Sequence, residues 1–359
     1  MPRVPPATAR VRVAVRRGLS DLEPDSLLLV ACSGGPDSMA LAAACAFAAP
    51  RLGLRVGLST IDHGLQDGSA DRAAALADWA RAGGLDPVDI AAVDVDVTDG
   101  GPESAARTAR YAALDRLRRK HNAAAVLLGH TLDDQAETVL LALARGSGPR
   151  GIAAMPARRG KLRRPLLRVR RTDTRDSCTE LSLPVWDDPH NADPAYLRSR
   201  LRASLGDLTA ALGERLIPNL ARTATLITDD LAALDRYAAQ TLAAARVTTS
   251  LGRGDRDIED TPDLTAPSHH AAAGGVPPSL RLGELSSVPR AVRTRALRSW
   301  VIEEGADADD LFFVHIEALD ALVTAWRGQK AVQLPGGVEV RRERDRLWLT
   351  PTRRQEAPE

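Results

Sequence analysis

A chain of 359 residues, 44% hydrophobic and 26% charged, carries enough apolar material for two or three packed domains and too much to stay disordered. Its 48 basic and 47 acidic residues leave a net charge of +1, so no polyanionic partner follows from charge alone; three cysteines without a C-x-x-C pair exclude a disulfide framework and a structural zinc site. No apolar run approaches the roughly 18 residues that span a bilayer. Arginines interrupt the N-terminus where a secretory signal needs a continuous apolar stretch, which points to a cytoplasmic protein with no membrane partner.

Met1 to Ala9 is proline-rich and reads as the frayed start of an N-terminal extension, residues 1–26. Leu27 to Ala31 is a short continuous apolar run, as expected of a strand buried on both faces, and it leads through Ser33-Gly34-Gly35-Pro36-Asp37-Ser38 into an alanine-rich helix. The alternation recurs, with strands expected at Leu54 to Ile61, Ile90 to Val97 and Ala125 to Gly129 and helices around Asp71 to Ala82 and Glu103 to Lys120. A doubly wound parallel α/β sheet is the natural solution, in a catalytic domain over residues 27–205. Connecting helices follow over 206–247, interrupted at Pro218, and then a polar, glycine- and proline-rich linker over 248–280 that includes His269 and His270. A smaller α+β domain over 281–350 precedes a tail at 351–359. It is read from helices at Pro289 to Glu304 and Leu311 to Arg327 and strands at Ala331 to Leu334, Val338 to Arg342 and Leu347 to Leu349.

The charge is unevenly placed. Ser59 to Glu103 carries ten acidic residues against two arginines, whereas Arg145 to Arg175 carries eleven basic residues against Asp173 alone, a density suited to nucleic-acid phosphates. Only three lysines occur, and arginine suits bidentate phosphate contact; a bias in composition accounts for most of the arginine preference but not for its clustering.

In a sheet of this kind the ligand lies at the carboxyl ends of the strands, which gathers Ser33 to Ser38, Asp62 with His63, and His130 around one crevice. The Ser33-Gly34-Gly35 turn lets backbone N–H groups approach an anion ahead of a helix N-terminus, so it should hold phosphate, though Ser and Gly also serve as ordinary caps. Asp37 inside such a turn would repel its ligand unless a divalent cation intervened, and magnesium is therefore inferred there.

Ser33-Gly34-Gly35-Pro36-Asp37-Ser38 resembles the S-G-G-x-D-S loop of the N-type ATP pyrophosphatases, the PP-loop or adenine nucleotide alpha hydrolase-like fold. Further segments, in order and spacing, resemble the tRNA(Ile)-lysidine synthetases within that superfamily: Asp62-His63-Gly64-Leu65, Ala106-Arg107 with Arg110-Tyr111, Gly129-His130-Thr131-Leu132-Asp133-Asp134-Gln135-Ala136-Glu137-Thr138, Arg145-Gly146-Ser147-Gly148, Arg164-Pro165-Leu166-Leu167 and Asp188 to Arg202. The resemblance covers most of Leu27 to Arg202 and continues more loosely beyond. It implies ATP-dependent adenylation of the wobble cytidine in an isoleucine tRNA with a CAU anticodon, followed by attack of free lysine with loss of AMP. ATP and Mg2+ are the implied cofactors, and relatives suggest a homodimer.

On that reading Ser33 to Ser38, Asp62 and His63 hold the nucleotide, Asp37 holds magnesium, and Asp37, Arg107 and His130 are the catalytic candidates, with Arg107 or Arg110 reaching the α-phosphate or the activated base. His130, Asp133, Asp134 and Glu137 stand at i, i+3, i+4 and i+7 on a helix, so the three carboxylates could hold lysine or magnesium; an exposed acidic face with a capping histidine is the plainer alternative, and spacing does not choose among the three. Arg145, Arg164, Arg198, Arg200 and Arg202 are the candidates for the tRNA backbone, against exposed arginines paired with neighbouring acids, and the domain over 281–350 is expected to bind tRNA as well. With only 3% aromatic residues no stacking platform for bases is evident. Thr131 stands where many relatives carry a second histidine and Gln66 where many carry arginine, and the third domain of longer relatives is not expected here. The nearest rival, a tRNA-thiolating enzyme of the same superfamily, would need paired cysteines, whereas Cys32, Cys45 and Cys178 read as isolated core residues.

Overall fold

A computed structural model describes residues 4–62, 68–93, 102–187, 193, 195–247 and 277–352, with the side chains of 102–104 and 106 excepted. The chain divides into two compact units, Met1–Thr228 and Asp229–Glu359.

The first unit begins with α1 (Pro6–Leu19) rather than a frayed segment. Pro6 suits a first helical turn, and Val11, Val15 and Leu19, spaced by four, form one buried face among the arginines. Two orphan N–H groups of that turn, on Ala7 and Thr8, donate to the Glu180 carboxylate at 3.2 and 2.8 Å, so the helix start is capped by a residue far along the chain. Then follow β1 (Leu27–Ala31), α2 (Pro36–Ala48), β2 (Arg55–Asp62), α3 (Ser69–Ala82), β3 (Val88–Ala92), α4 (Pro102–Lys120), β4 (Ala125–Leu128), α5 (Leu132–Ala144), α6 (Gly148–Ile152), β5 (Arg158–Arg159), β6 (Leu162–Arg163), α7 (Arg171–Glu180) and α8 (Leu197–Leu212).

The sheet runs β3-β2-β1-β4-β6-β5, parallel except for the β5–β6 pair at one edge. All five residues of β1 are buried, which is why the strand reads as an unbroken apolar run. Strand order reverses direction at β1, between β2 and β4, and the crevice of such a sheet opens beyond the carboxyl ends of those strands. The core beneath it combines α1, α2 and the β1–β2–β4 strands with Leu166, Val169 and Cys178.

The helix break expected at Pro218 lies instead at Gly213, whose φ of +96° ends α8. Pro218 falls in the first turn of α9 (Leu216–Ala245), where its missing N–H would have had no partner in any case. The division between the units falls within α9.

The second unit continues with β7 (Ser279–Arg281), α10 (Leu282–Ser286), α11 (Arg290–Glu303), α12 (Phe313–Thr324), β8 (Val332–Leu334), β9 (Val338–Glu343) and β10 (Arg346–Pro351). Its antiparallel sheet has the order β7-β10-β9-β8. Trp300, Leu297, Leu319, Val340 and Leu347 are fully buried between this sheet and α11 and α12. β7 opens inside the stretch expected as linker; of that stretch, 248–276 lies outside the described residues.

Candidate active site

The segment after β1 turns sharply at Gly34, whose φ of +84° an L side chain rarely adopts, and enters α2 at Pro36. Ser38 fastens the turn from within: its Oγ accepts from the Ser33 backbone N–H at 3.2 Å and donates to the Gly35 carbonyl at 2.9 Å. The Gly34 carbonyl accepts from the Trp186 N–H at 3.0 Å. On the far side, a Cβ on Gly129 would lie 3.1 Å from backbone atoms of Asp37 and Ser38, so glycine at the end of β4 lets that strand meet the first turn of α2.

Ser33, Gly35, Pro36, Asp37, Ser38, Gly129, His130 and Asp134 line a cavity of about 480 Å³ together with Arg110, Arg171, Arg175, Asp187 and Arg202. A volume of this order accommodates a small-molecule ligand. A larger cavity, about 630 Å³, lies between α1 and the β5–β6 edge, lined by Arg10, Arg17, Arg158, Arg163, Arg164 and Arg168 among others, and shares no residue with the loop.

Thr131 caps α5 and explains its own presence. Asp134 Oδ2 accepts from the Thr131 N–H at 2.7 Å and from its hydroxyl at 2.8 Å, closing a capping box over the helix N-terminus. Asp133 turns the other way: it accepts the Arg171 backbone N–H at 2.7 Å and pairs with Arg170 at 3.1 Å, joining the starts of α5 and α7 rather than facing the cavity. Two of the three candidate carboxylates therefore converge, not three.

They converge on Arg171. Its guanidinium bridges Asp134 Oδ1 at 2.6 Å, Glu137 Oε1 at 2.8 Å and Asp37 Oδ2 at 3.3 Å. Glu137, fully buried, also takes Arg202 at 2.9 and 3.0 Å on its two oxygens. Burial by itself would lower the Arg171 pKa, but the Asp134, Glu137 and Asp37 charges outweigh it and hold the guanidinium above its ordinary value. Burial would raise Asp134, yet Arg171 and the Thr131 hydrogen bonds bring it below the usual carboxylate range. At Asp37 burial prevails and raises the carboxyl, against the opposing pull of the Thr174 hydroxyl, which donates to it, and of Arg171. His130 is pushed down to about 4, first by burial and then by the Arg164, Arg110 and Arg107 charges against that of Asp134; its Nδ1 is buried without a hydrogen-bond partner. The imidazole is therefore neutral at pH 7.

Several expected residues are placed differently. Arg107 is exposed and donates to the Tyr111 hydroxyl at 3.2 Å; one turn on, Arg110 lines the cavity. Arg164 is 5% exposed, its Nη1 donating to the Pro156 carbonyl, so it offers no surface to an RNA backbone. Arg198 and Arg202, four apart on α8, share the face turned to Glu137, while Arg200 at the intermediate position is exposed. Arg145 is exposed at the C-terminus of α5. Asp62 ends β2 but is not among the residues lining the cavity, and His63, Gln66 and 188–192 lie outside the described residues.

Arg171 and Thr174 were hidden within a basic block. The available signal was local: an arginine opens α7, where the helix dipole disfavours positive charge, so an acidic partner had to lie nearby.

A family model described as a PP-loop domain matches residues 9–209, and one described as a TilS substrate binding domain matches 280–348. A tRNA(Ile)-lysidine synthase of Salinispora tropica is 53% identical over 347 residues, 95% of this chain and 96% of that one. The chain belongs to the tRNA(Ile)-lysidine synthase family. Family members from Thermobifida fusca and Streptomyces coelicolor are 51% and 49% identical, over 94% and 96% of this chain and 96% and 98% of theirs. Among solved structures, the U34-tRNA thiolase NcsA from Methanococcus maripaludis with its [4Fe-4S] cluster superposes with a TM-score of 0.52 at 17% identity, covering 62% of this chain and 80% of that one, a likeness of fold. Unlike a thiolating enzyme, this member of the lysidine synthase family offers no thiol to the cavity: Cys32, Cys45 and Cys178 are all buried, and burial raises each thiol, Cys178 to about 12. Among the described residues no helix is long and apolar enough to cross a membrane.

Proposed function

We propose that the cavity between β1 and β4 carries both halves of lysidine formation on an isoleucine tRNA bearing CAU. The observation that supports it most directly is the meeting, in one cavity, of a phosphate-type loop at a helix N-terminus and Asp134 one strand away, with buried Glu137 joined to Asp134 behind it through Arg171. ATP lies with its phosphates on the Ser33–Ser38 turn. The wobble cytidine O2 attacks the α-phosphorus, pyrophosphate leaves, and Arg110 stabilises the charge that develops there. The ε-amine of lysine, held by Asp134 and Glu137, then attacks C2 as a free base, with its proton passing to a carboxylate, and AMP departs. Neutral His130 stands beside the reacting base as a hydrogen-bonding group rather than a charge.

Asp37 fits a magnesium ion, since such ions bind through one or two carboxylates plus substrate phosphates and water. When bound, the ion would screen the phosphates from Asp37 and stabilise departing pyrophosphate. Backbone contacts to the tRNA fall to exposed members of the basic block, among them Arg145, Arg158, Arg159 and Arg168, and to Arg200.

The test is incubation with ATP, magnesium, labelled lysine and an isoleucine tRNA transcript bearing CAU, with AMP release and label in the RNA both measured. Coupled appearance of the two is expected; AMP release without label would mean a different nucleophile, and neither would reduce the protein to a binding module.

A further inference from the structure

Asp134 and Glu137 carry two negative charges, and Arg171 and Arg202, with Arg198 more distant at 3.9 Å from Glu137, surround them with three positive ones at hydrogen-bond or ion-pair distance. The pair is therefore already neutralised, and an arriving ammonium finds no net negative charge to bind. Arg171 fills the positions such an ammonium would take, with Nη1 on Glu137 and Nη2 on Asp134. Its third contact, Nε to Asp37 at 3.3 Å, is the longest of the three and reaches the first turn of α2, directly beyond the phosphate-type turn. Arg171 thus lines the same cavity as Ser33, Gly35 and Ser38. Guanidinium binds phosphate bidentately, so a polyphosphate on that turn competes with the carboxylates for it.

We propose that Arg171 couples the two substrate sites: in the empty protein it occupies the ammonium position on Asp134 and Glu137, and a polyphosphate bound at the Ser33–Ser38 turn draws it away, so that nucleotide binding creates the lysine site. The inference rests on the assignment of Asp134 and Glu137 to the amine given above. With Arg171 moved to phosphate, Asp134 Oδ1 loses its 2.6 Å partner and Glu137 Oε1 its 2.8 Å one, one positive charge leaves the pair, and the ε-ammonium takes that place. By linkage, lysine then also tightens nucleotide binding by the same factor.

The experiment is equilibrium dialysis of labelled lysine against the full chain without tRNA, alone, with ATP and magnesium, and with inorganic pyrophosphate and magnesium. Wild type is expected to bind lysine about tenfold or more tightly in the presence of either phosphate ligand. Arg171→Gln is expected to bind lysine with one affinity in all three conditions, and Arg171→Lys, whose single ammonium spans fewer carboxylates, to show reduced coupling. Equal lysine affinity of wild type with and without ATP would overturn the proposal whatever the variants do, as would full coupling in a folded Arg171→Gln protein. Absence of lysine binding in every condition would instead overturn the amine assignment itself, and the proposal with it.

Discussion

Glu137→Gln tests the buried acid pair with almost no change of volume. Glu137 is fully buried and accepts three charge-assisted hydrogen bonds, from Arg171 at 2.8 Å and from Arg202 at 2.9 and 3.0 Å. Bonds to a charged group contribute about 1.5–3 kcal/mol each against about 1 for neutral ones, so removing the charge costs on the order of 0.5–2 kcal/mol per bond and about 3 kcal/mol in all. The amide's NH2 also faces donors where an oxygen accepted. Removing one partner of a buried pair independently suggests about 3–5 kcal/mol, and Arg202, one-third exposed, recovers some hydration, which favours the lower end. For a unit of this size about 3 kcal/mol lowers Tm by roughly 6–12 °C. The assay is thermal unfolding at low and high salt, read beside AMP release and lysine incorporation. A buried pair is little screened, so the loss should persist at high salt, and adenylated tRNA should accumulate without label. An unchanged Tm, or a deficit that vanishes in salt, would refute the buried network; normal lysine incorporation would refute its role.

Further expectations concern other parts of the molecule. His130, with its pKa depressed to about 4 from 6.5, stays neutral in the fold while the unfolded chain takes up a proton, so stability should rise from pH 4 to 6.5 and level off above; up to about 3 kcal/mol of that slope should vanish in His130→Asn, measured by urea unfolding across pH. Gly34→Ala, at φ +84°, should cost about 1–2 kcal/mol and weaken ATP binding in a direct titration; wild-type affinity would show that the turn does not hold phosphate. Trp300→Ala should cost about 3–5 kcal/mol in the second unit and lower tRNA affinity while leaving ATP binding intact, as read by tryptophan fluorescence during urea unfolding and by filter binding.

What could be read in advance follows from how local its cause is. β1 announces itself because burial on both faces demands five consecutive apolar residues, and the Ser33–Ser38 turn because its chemistry is contiguous. α1 was concealed because its valines sit among arginines and its start is capped from Glu180, a contact with no trace in nearby residues. On α5 the spacing correctly placed the acids on neighbouring turns, but not that Asp133 would be claimed by the start of α7. The eleven basic residues of the 145–175 block look alike in sequence, and only folding separates buried Arg164 and half-buried Arg171 from exposed Arg158 and Arg168. The same limit applies to Arg107 and Arg110, since a helix turn decides which reaches the cavity.

The capping of α1 by Glu180 has a bearing on vectorial synthesis. Ala7 and Thr8, in the first turn of α1, are made 173 and 172 residues before the carboxylate that satisfies them, and α1 also precedes the Cys178 turn of α7 that shares its core. Until then the Val11, Val15 and Leu19 face has no permanent neighbour on that side. α2, made soon after, can cover part of that face, but the nascent protein must carry the rest of an arginine-flanked apolar helix uncovered until α7 arrives.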